Sequence, residues 1–188
     1  MTIEIRDLYK SYHGTPVLTG VNAVIGTGIN ALIAPSGSGK TTLLRILLGL
    51  ERADSGHITG AENCRFAAVF QEDRLLPQRD AAGNLRFILG EHYDPQRAAE
   101  LLEDLGLELT SPQPVREYSG GMCRRLALAR ALLAPSDMLV LDEPFAGLDA
   151  ENRSRALAAI RRYGAEKPIL LTTHHPEELA LQDRMISL

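Results

Sequence analysis

Residues 34–42 read APSGSGKTT, and the fold turns on how this stretch is read. From Gly39 onward it fits the phosphate-binding pattern G-x-x-x-x-G-K-[ST], with Ala34 where the pattern has its first glycine. The flanks weigh a phosphate loop against a flexible glycine-serine turn. Upstream, INALIA (29–34) is a strand-like run that stops at Pro35, and downstream TTLLRILLGL (41–50) has helical spacing. In that context the backbone N–H groups of Ser36, Gly37, Ser38, Gly39 and Lys40 can wrap a β-phosphate, with a helix N-terminus aimed at it. Lys40 supplies a point charge for the β- and γ-phosphates, and Thr41 a hydroxyl for Mg²⁺, with Thr42 beside it. A flexible turn leaves Lys40-Thr41, on the first turn of a helix, unexplained. Ala34 matters only if its position needs a positive φ, where a Cβ costs roughly 1 kcal/mol. At a strand end a negative φ is expected, and alanine is tolerated.

Working outward, apolar runs at 2–6, 17–25 and 29–34 read as strands, with a turn at Gly26-Thr27-Gly28. FAAVF (66–70) is a short buried strand and QEDRLLPQR a polar loop. From about 80 to 134 the period is helical, through NLRFIL, PQRAAELLEDLGL and GGMCRRLALARALL, broken by Pro112 and Pro114. After Pro135, MLVL is an apolar strand, 150–163 a helix, PILLTTH a strand, PEELALQD a helix and RMISL strand-like. The fold class that follows is α/β: a P-loop NTPase core with a mainly parallel sheet. To it are added a small N-terminal antiparallel β region and an inserted α-helical subdomain. A single domain over 1–188 is expected, with its core at about 1–75 and 135–188 and the helical subdomain at about 76–134.

MLVLDEP (138–144) brings two adjacent acids to the C-terminal edge of an apolar strand, where α/β proteins place ligands. Asp142 suits the shell of a magnesium ion, and Glu143 can polarise an attacking water. An acidic strand end stopped by Pro144 is the plainer reading, weakened by the P-loop lysine on the same predicted sheet. A net charge of −4 advertises no basic field, so no nucleic-acid partner is expected. The longest apolar run, LLRILLGL, is too short to span a bilayer, and the N-terminus has no signal-peptide pattern. Cys64 and Cys123 lack metal-type spacing and read as packing residues.

YSGGMCRR (118–125) resembles the signature of ATP-binding cassette (ABC) ATPases, usually written LSGGQ and followed by basic residues. APSGSGKTT, VFQEDRLLP, YSGGMCRR, MLVLDEP, AGLD and TTHHPEE stand in the family's order over essentially the whole chain. The pairing of VFQEDRLLP with SGGM is similar to importer ATPases of the nitrate, sulfonate and taurine type. The resemblance implies an ATPase that binds ATP and Mg²⁺ and dimerises around two nucleotides. Its partners would be a second ATPase subunit (a homodimer), transmembrane permease subunits and an extracytoplasmic solute-binding protein. Its place would be the cytoplasmic face of the membrane, as a peripheral subunit. Tyr12 matches the aromatic that stacks on adenine, and Gln71 the loop glutamine that reaches magnesium and water. Ser119, Gly120 and Gly121 match the segment that caps the γ-phosphate held by the opposite subunit, Asp149 the interface acid and His174 the switch histidine. Departures are Ala34, Tyr118, Met122, Cys123 and His175. The chain is short for the family between Lys40 and Gln71 and ends after RMISL, so no C-terminal regulatory domain is expected. Two other readings keep the fold: a non-transport ABC ATPase, and a nucleotide-binding structural subunit without turnover.

Overall fold

The computed structural model describes residues 1–35, 37–173 and 184–188. The expected helix at PEELALQD lies outside them, as do Ser36, His174 and His175. Two compact units share the chain: Met1–Phe66 with Asp137–Glu143 and Glu166–Leu188, and Ala67–Ser136 with Pro144–Ala165.

In the first unit, β3 (Gly28–Ile33), β6 (Met138–Asp142), β7 (Pro168–Thr172) and β8 (Arg184–Ser187) run parallel in the order β6-β7-β3-β8. Every residue of β6 and β7 is buried, which is why both read as unbroken apolar runs rather than alternating ones. Their register sets Asp142 beside Thr172 at the C-terminal edge. Helix α1 (Lys40–Leu47) buries Leu43, Leu44 and Leu47 and leaves Arg45 exposed. Asn30 is a buried polar residue inside β3; its amide donates to the Gly26 and Gly28 carbonyls, fixing the turn that the glycines predicted.

A second sheet of this unit is antiparallel, β2-β1-β4, from β1 (Ile3–Tyr12), β2 (Thr15–Ile25) and β4 (Ser55–Thr59). The antiparallel region is as expected, but β1 runs six residues beyond the expected end at 6. Asp7 has φ 45°, and the register shifts between Ile5 and Leu8. The bulge moves burial from Ile3 and Ile5 to Leu8 and breaks the alternation that marks a strand. Strand β4 was not anticipated: SGHIT is mostly exposed and has no apolar period, and its pairing with β1 alone defines it.

The second unit begins with most of β5 (Phe66–Val69) and holds α2 (Ala81–Leu89), α3 (Pro95–Asp104), α4 (Gly120–Leu133) and α5 (Ala150–Gly164). Each of these helices starts at a side-chain cap, from Asp80, Asp94, Ser119 and Asp149 in turn. The other three helices pack on α4, so its residues from Arg124 to Ala129 are buried in succession.

Candidate functional site

The loop from β3 to α1 is shaped by Gly37 and Gly39, whose φ values are 79° and 94°. At Gly39 a Cβ would stand 2.8 Å from Leu18 Cδ2 and 2.9 Å from the Val17 carbonyl oxygen, so only glycine fits. Ala34 is buried and has no positive φ. Its carbonyl accepts a hydrogen bond from Lys40 Nζ at 2.7 Å, and that of Pro35 accepts another at 2.9 Å. The first position of the motif thus contributes a backbone oxygen that any residue possesses. Two of the three donors of the ammonium go to these carbonyls, and a third suits an anion. Alone among the α-helices of the described residues, α1 has no side-chain cap, so its first-turn N–H groups point into the loop. Ser38 Oγ is buried with no hydrogen-bond partner among the described residues. A phosphate would satisfy all of these groups.

Beside the loop, in the same unit, Thr41 Oγ1 donates to Asp142 Oδ2 at 3.1 Å and Thr172 Oγ1 donates to Asp142 Oδ1 at 2.6 Å. The Glu143 N–H donates to Thr172 Oγ1 at 2.9 Å. Glu143 has φ 49°, in the left-handed region that a non-glycine residue adopts at a cost of about 1 kcal/mol or more. That rotation takes it out of the alternation of β6. Thr172 therefore orders both acids, and sequence reasoning missed it; the available signal was a pair of threonines ending an apolar buried strand.

Tyr12 is exposed, with Lys10 Nζ 5.2 Å from its ring centroid. Its hydroxyl engages Glu51, which raises the phenol above its ordinary range, while Thr42 opposes that shift. Lys10 is anchored in turn by Glu51 and Asp54, both at 3.3 Å. The ring is held at its hydroxyl by Glu51, with the Lys10 ammonium over it.

In the second unit a cavity of about 650 Å³ is lined by Ser119, Gly120, Gly121, Arg124, Arg125 and Asp149, among others. Ser119 caps α4 by accepting the Met122 N–H at 3.2 Å. Asp149 accepts the Asn152 N–H at 2.8 Å as the cap of α5, and that bond first of all lowers its pKa. Gln71 is exposed; its carbonyl accepts from Arg124 Nη2 at 2.7 Å. Arg125 donates to the Leu105 and Gly106 carbonyls, and burial lowers its pKa. The structure thus gathers Lys40, Thr41, Asp142 and Glu143 in one unit and Ser119, Gly120, Gly121 and Asp149 in the other. The roles of Arg124, Arg130 and Thr172 were not read from the sequence.

The sequence profile of the ABC transporter family matches residues 20–146. The chain belongs to the ABC transporter family. It is an ATP-binding ATPase subunit of that family. It is 43% identical over 194 residues to aliphatic sulfonates import ATP-binding protein SsuB 1 of Rhodococcus jostii, covering 99% of this chain and 78% of the relative. A second relative of the same name, from Pseudomonas syringae pv. syringae, is 38% identical, with 98% and 79% covered. Among solved structures, an ATP-binding subunit of an ABC transporter superposes with a TM-score of 0.87 at 25% identity, covering 100% of this chain and 86% of that one.

The departures from the ABC signature sit in the chain's own packing. Tyr118 is half-buried, and burial raises its phenol; Cys123 is half-buried with Sγ 3.9 Å from the Val115 carbonyl oxygen. Among the described residues no helix is long and apolar enough to cross a membrane.

Proposed function

We propose that two copies of this chain close head to tail around two ATP molecules, the Lys40 loop of each copy facing the Ser119–Gly121 segment of the other. Hydrolysis then drives import of a sulfonate-type solute through separate membrane permease subunits. The chain would sit peripherally on the cytoplasmic face, with an extracytoplasmic binding protein delivering the solute. The names of the sulfonate-import relatives support the solute class and the direction.

The observation that carries the pairing is at Gly120. Its φ is not positive, a Cβ there would meet nothing within 4 Å, and it is exposed. Nothing among the described residues requires glycine at this helix start. The close approach of a phosphate from another copy does, because a bare N-terminal turn attracts the charge at the end of ATP.

At the nucleotide, Lys40, Ser36, Gly37, Ser38, Gly39, Thr41 and Thr42 cradle the phosphates, and Tyr12 stacks on adenine. Thr41 and Asp142 of the first unit offer oxygen donors that suit magnesium, which would supply charge neutralisation at the phosphates when bound, and Gln71 is the further ligand that the family resemblance implies. Among the described residues no cluster of three His, Cys, Asp or Glu side chains could hold a metal by itself, so the nucleotide's own oxygens would complete the shell. The Glu143 carboxylate takes a proton from a water whose oxygen attacks the γ-phosphorus. The bond from that phosphorus to the bridging oxygen breaks, giving ADP and phosphate. His174 contacts the γ-phosphate, and Asp149 lines the interface.

Glu143→Gln keeps the shape of the side chain and removes the base, so it should stall after ATP binding. On size exclusion at high protein concentration it should run as a monomer with ADP and shift toward a dimer with ATP. Adding Ser119→Arg should return it to monomer. Wild-type hydrolysis by Glu143→Gln would refute the mechanism, and a dimer that survives Ser119→Arg would refute the composite site.

A further inference from the structure

Arg124 is only 6% exposed, and its guanidinium is committed to partners inside the chain. Burying that charge is unfavourable unless its donors are used. They are used on one short loop. Nη1 donates to the Phe70 carbonyl at 2.5 Å and lies 3.1 Å from Asp73 Oδ1, while Nη2 donates to the Gln71 carbonyl. Arg130 repeats the arrangement: Nη1 donates to the Arg74 carbonyl at 2.7 Å and Nη2 to that of Asp73 at 2.8 Å. Residues 70–74 contain no strand or helix, and four of their five carbonyls are satisfied by side chains of α4. Within the loop, Arg74 lies over the Phe70 ring at 5.2 Å and holds φ 47°. The loop is compact and bolted to α4 at two points about 9 Å apart along the helix, so it cannot pivot about one of them.

We infer that Arg124, assisted by Arg130, is a positioning residue for Gln71: it fastens the loop that carries Gln71 to the helix that begins at Ser119–Gly121. The inference rests on the roles proposed above for Gln71 and for that segment. Helix α4 is a rigid rod, with one end meeting the nucleotide of the partner copy and its arginines gripping the glutamine loop of its own site. A shift of α4 when its N-terminus engages phosphate therefore displaces Gln71 at the other site, and the two sites of a pair are linked through each chain. The planar fork matters because it spans adjacent carbonyls, which a lysine ammonium does not. Asp73 faces both arginines: desolvation raises the pKa of its half-buried carboxyl, and the charges of Arg124 and Arg130 oppose that rise.

The test is a double-mutant cycle on the full chain, reading kcat, KM, ATP affinity by titration and the thermal midpoint. Gln71→Ala alone should lower kcat about tenfold or more, and Arg124→Lys should do the same with ATP Kd within about threefold of wild type. In the Arg124→Lys background, Gln71→Ala should lower kcat by less than about threefold further, because a glutamine already out of place has little left to lose. Multiplicative effects would mean that Arg124 acts on turnover independently of Gln71, and would overturn the inference while leaving Gln71 its role. A wild-type kcat for Arg124→Lys would overturn it as well. If Gln71→Ala alone is silent, the role proposed for Gln71 falls and the inference falls with it. Arg124→Ala leaves Asp73 without its partner and risks misfolding; the lysine variant keeps the charge, so it decides the question.

Discussion

Replacing Thr172 by valine removes one oxygen and creates no cavity, which makes it a clean probe of the acidic end of β6. The residue is fully buried, and its hydroxyl works twice, donating to Asp142 Oδ1 at 2.6 Å and accepting the Glu143 N–H at 2.9 Å. Valine takes one hydrogen bond from each partner, and Asp142 is only 1% exposed, so water cannot replace the lost donor. A hydrogen bond to a carboxylate contributes about 1.5–3 kcal/mol, and a stranded buried N–H costs about 1–3 kcal/mol. Asp142 keeps its bond from Thr41, so the expected destabilisation is about 3–5 kcal/mol rather than the full sum of the upper limits. Thr172→Ser retains the oxygen and gives up one methyl group, about 1 kcal/mol. Urea unfolding of the three proteins measures this, as midpoint shifts at constant slope. The same substitution frees Glu143 from its left-handed conformation, so kcat should fall more than ATP affinity. A Thr172→Val protein as stable as Thr172→Ser would refute the reasoning, because the hydroxyl would then not be what orders the two acids.

Ala34→Gly should change ATP affinity less than about tenfold, since position 34 offers only its carbonyl, whereas Lys40→Ala should abolish useful binding or turnover; isothermal titration separates them, and a need for Ala34→Gly to see any binding would sink this reading. Gly39→Ala combines a left-handed φ with contacts near 2.9 Å to Val17 and should lose both stability and ATP binding, seen as a lowered midpoint and no titration heat. Tyr12→Phe should bind ATP nearly as wild type and Tyr12→Ala more weakly by about 1–3 kcal/mol, equal affinities refuting the stack. Arg65 holds the Asp137 carboxyl down at about 2, through side-chain and backbone hydrogen bonds. A lowered acid stabilises the fold above its unfolded value and loses that contribution as pH falls through the folded one. The stability gap between wild type and Asp137→Asn should therefore be level above about pH 5 and shrink from about pH 4 toward 2.

The parallel sheet was legible because β6 and β7 are buried on both faces and so spell themselves as apolar runs. The P-loop was legible because its geometry demands glycine at 37 and 39 and a lysine at the helix start. What escaped depends on partners far off in the chain. Strand β4 has no pattern of its own and exists through pairing with residues about fifty positions earlier. The extension of β1 was hidden by the bulge at Asp7, which shifts the alternation by one. Thr172 gains its role only from lying beside Asp142, and Arg124 only from folding back on residues 70–74. A basic residue after a signature motif looks the same in sequence whether it meets solvent or grips a loop.

Glu143 combines reactive position with an uncomfortable backbone, and this sets a direction for change over generations. Glycine at 143 would relieve roughly 1 kcal/mol of conformational cost, so a copy that loses the proposed base would fold slightly better than its parent. A duplicated gene released from selection for turnover would slide readily into a stable, idle protein that still binds nucleotide. On the role proposed for Glu143, continued demand for hydrolysis would keep glutamate there, and the slope it opposes can be measured as a higher unfolding midpoint for Glu143→Gly than for the parent chain.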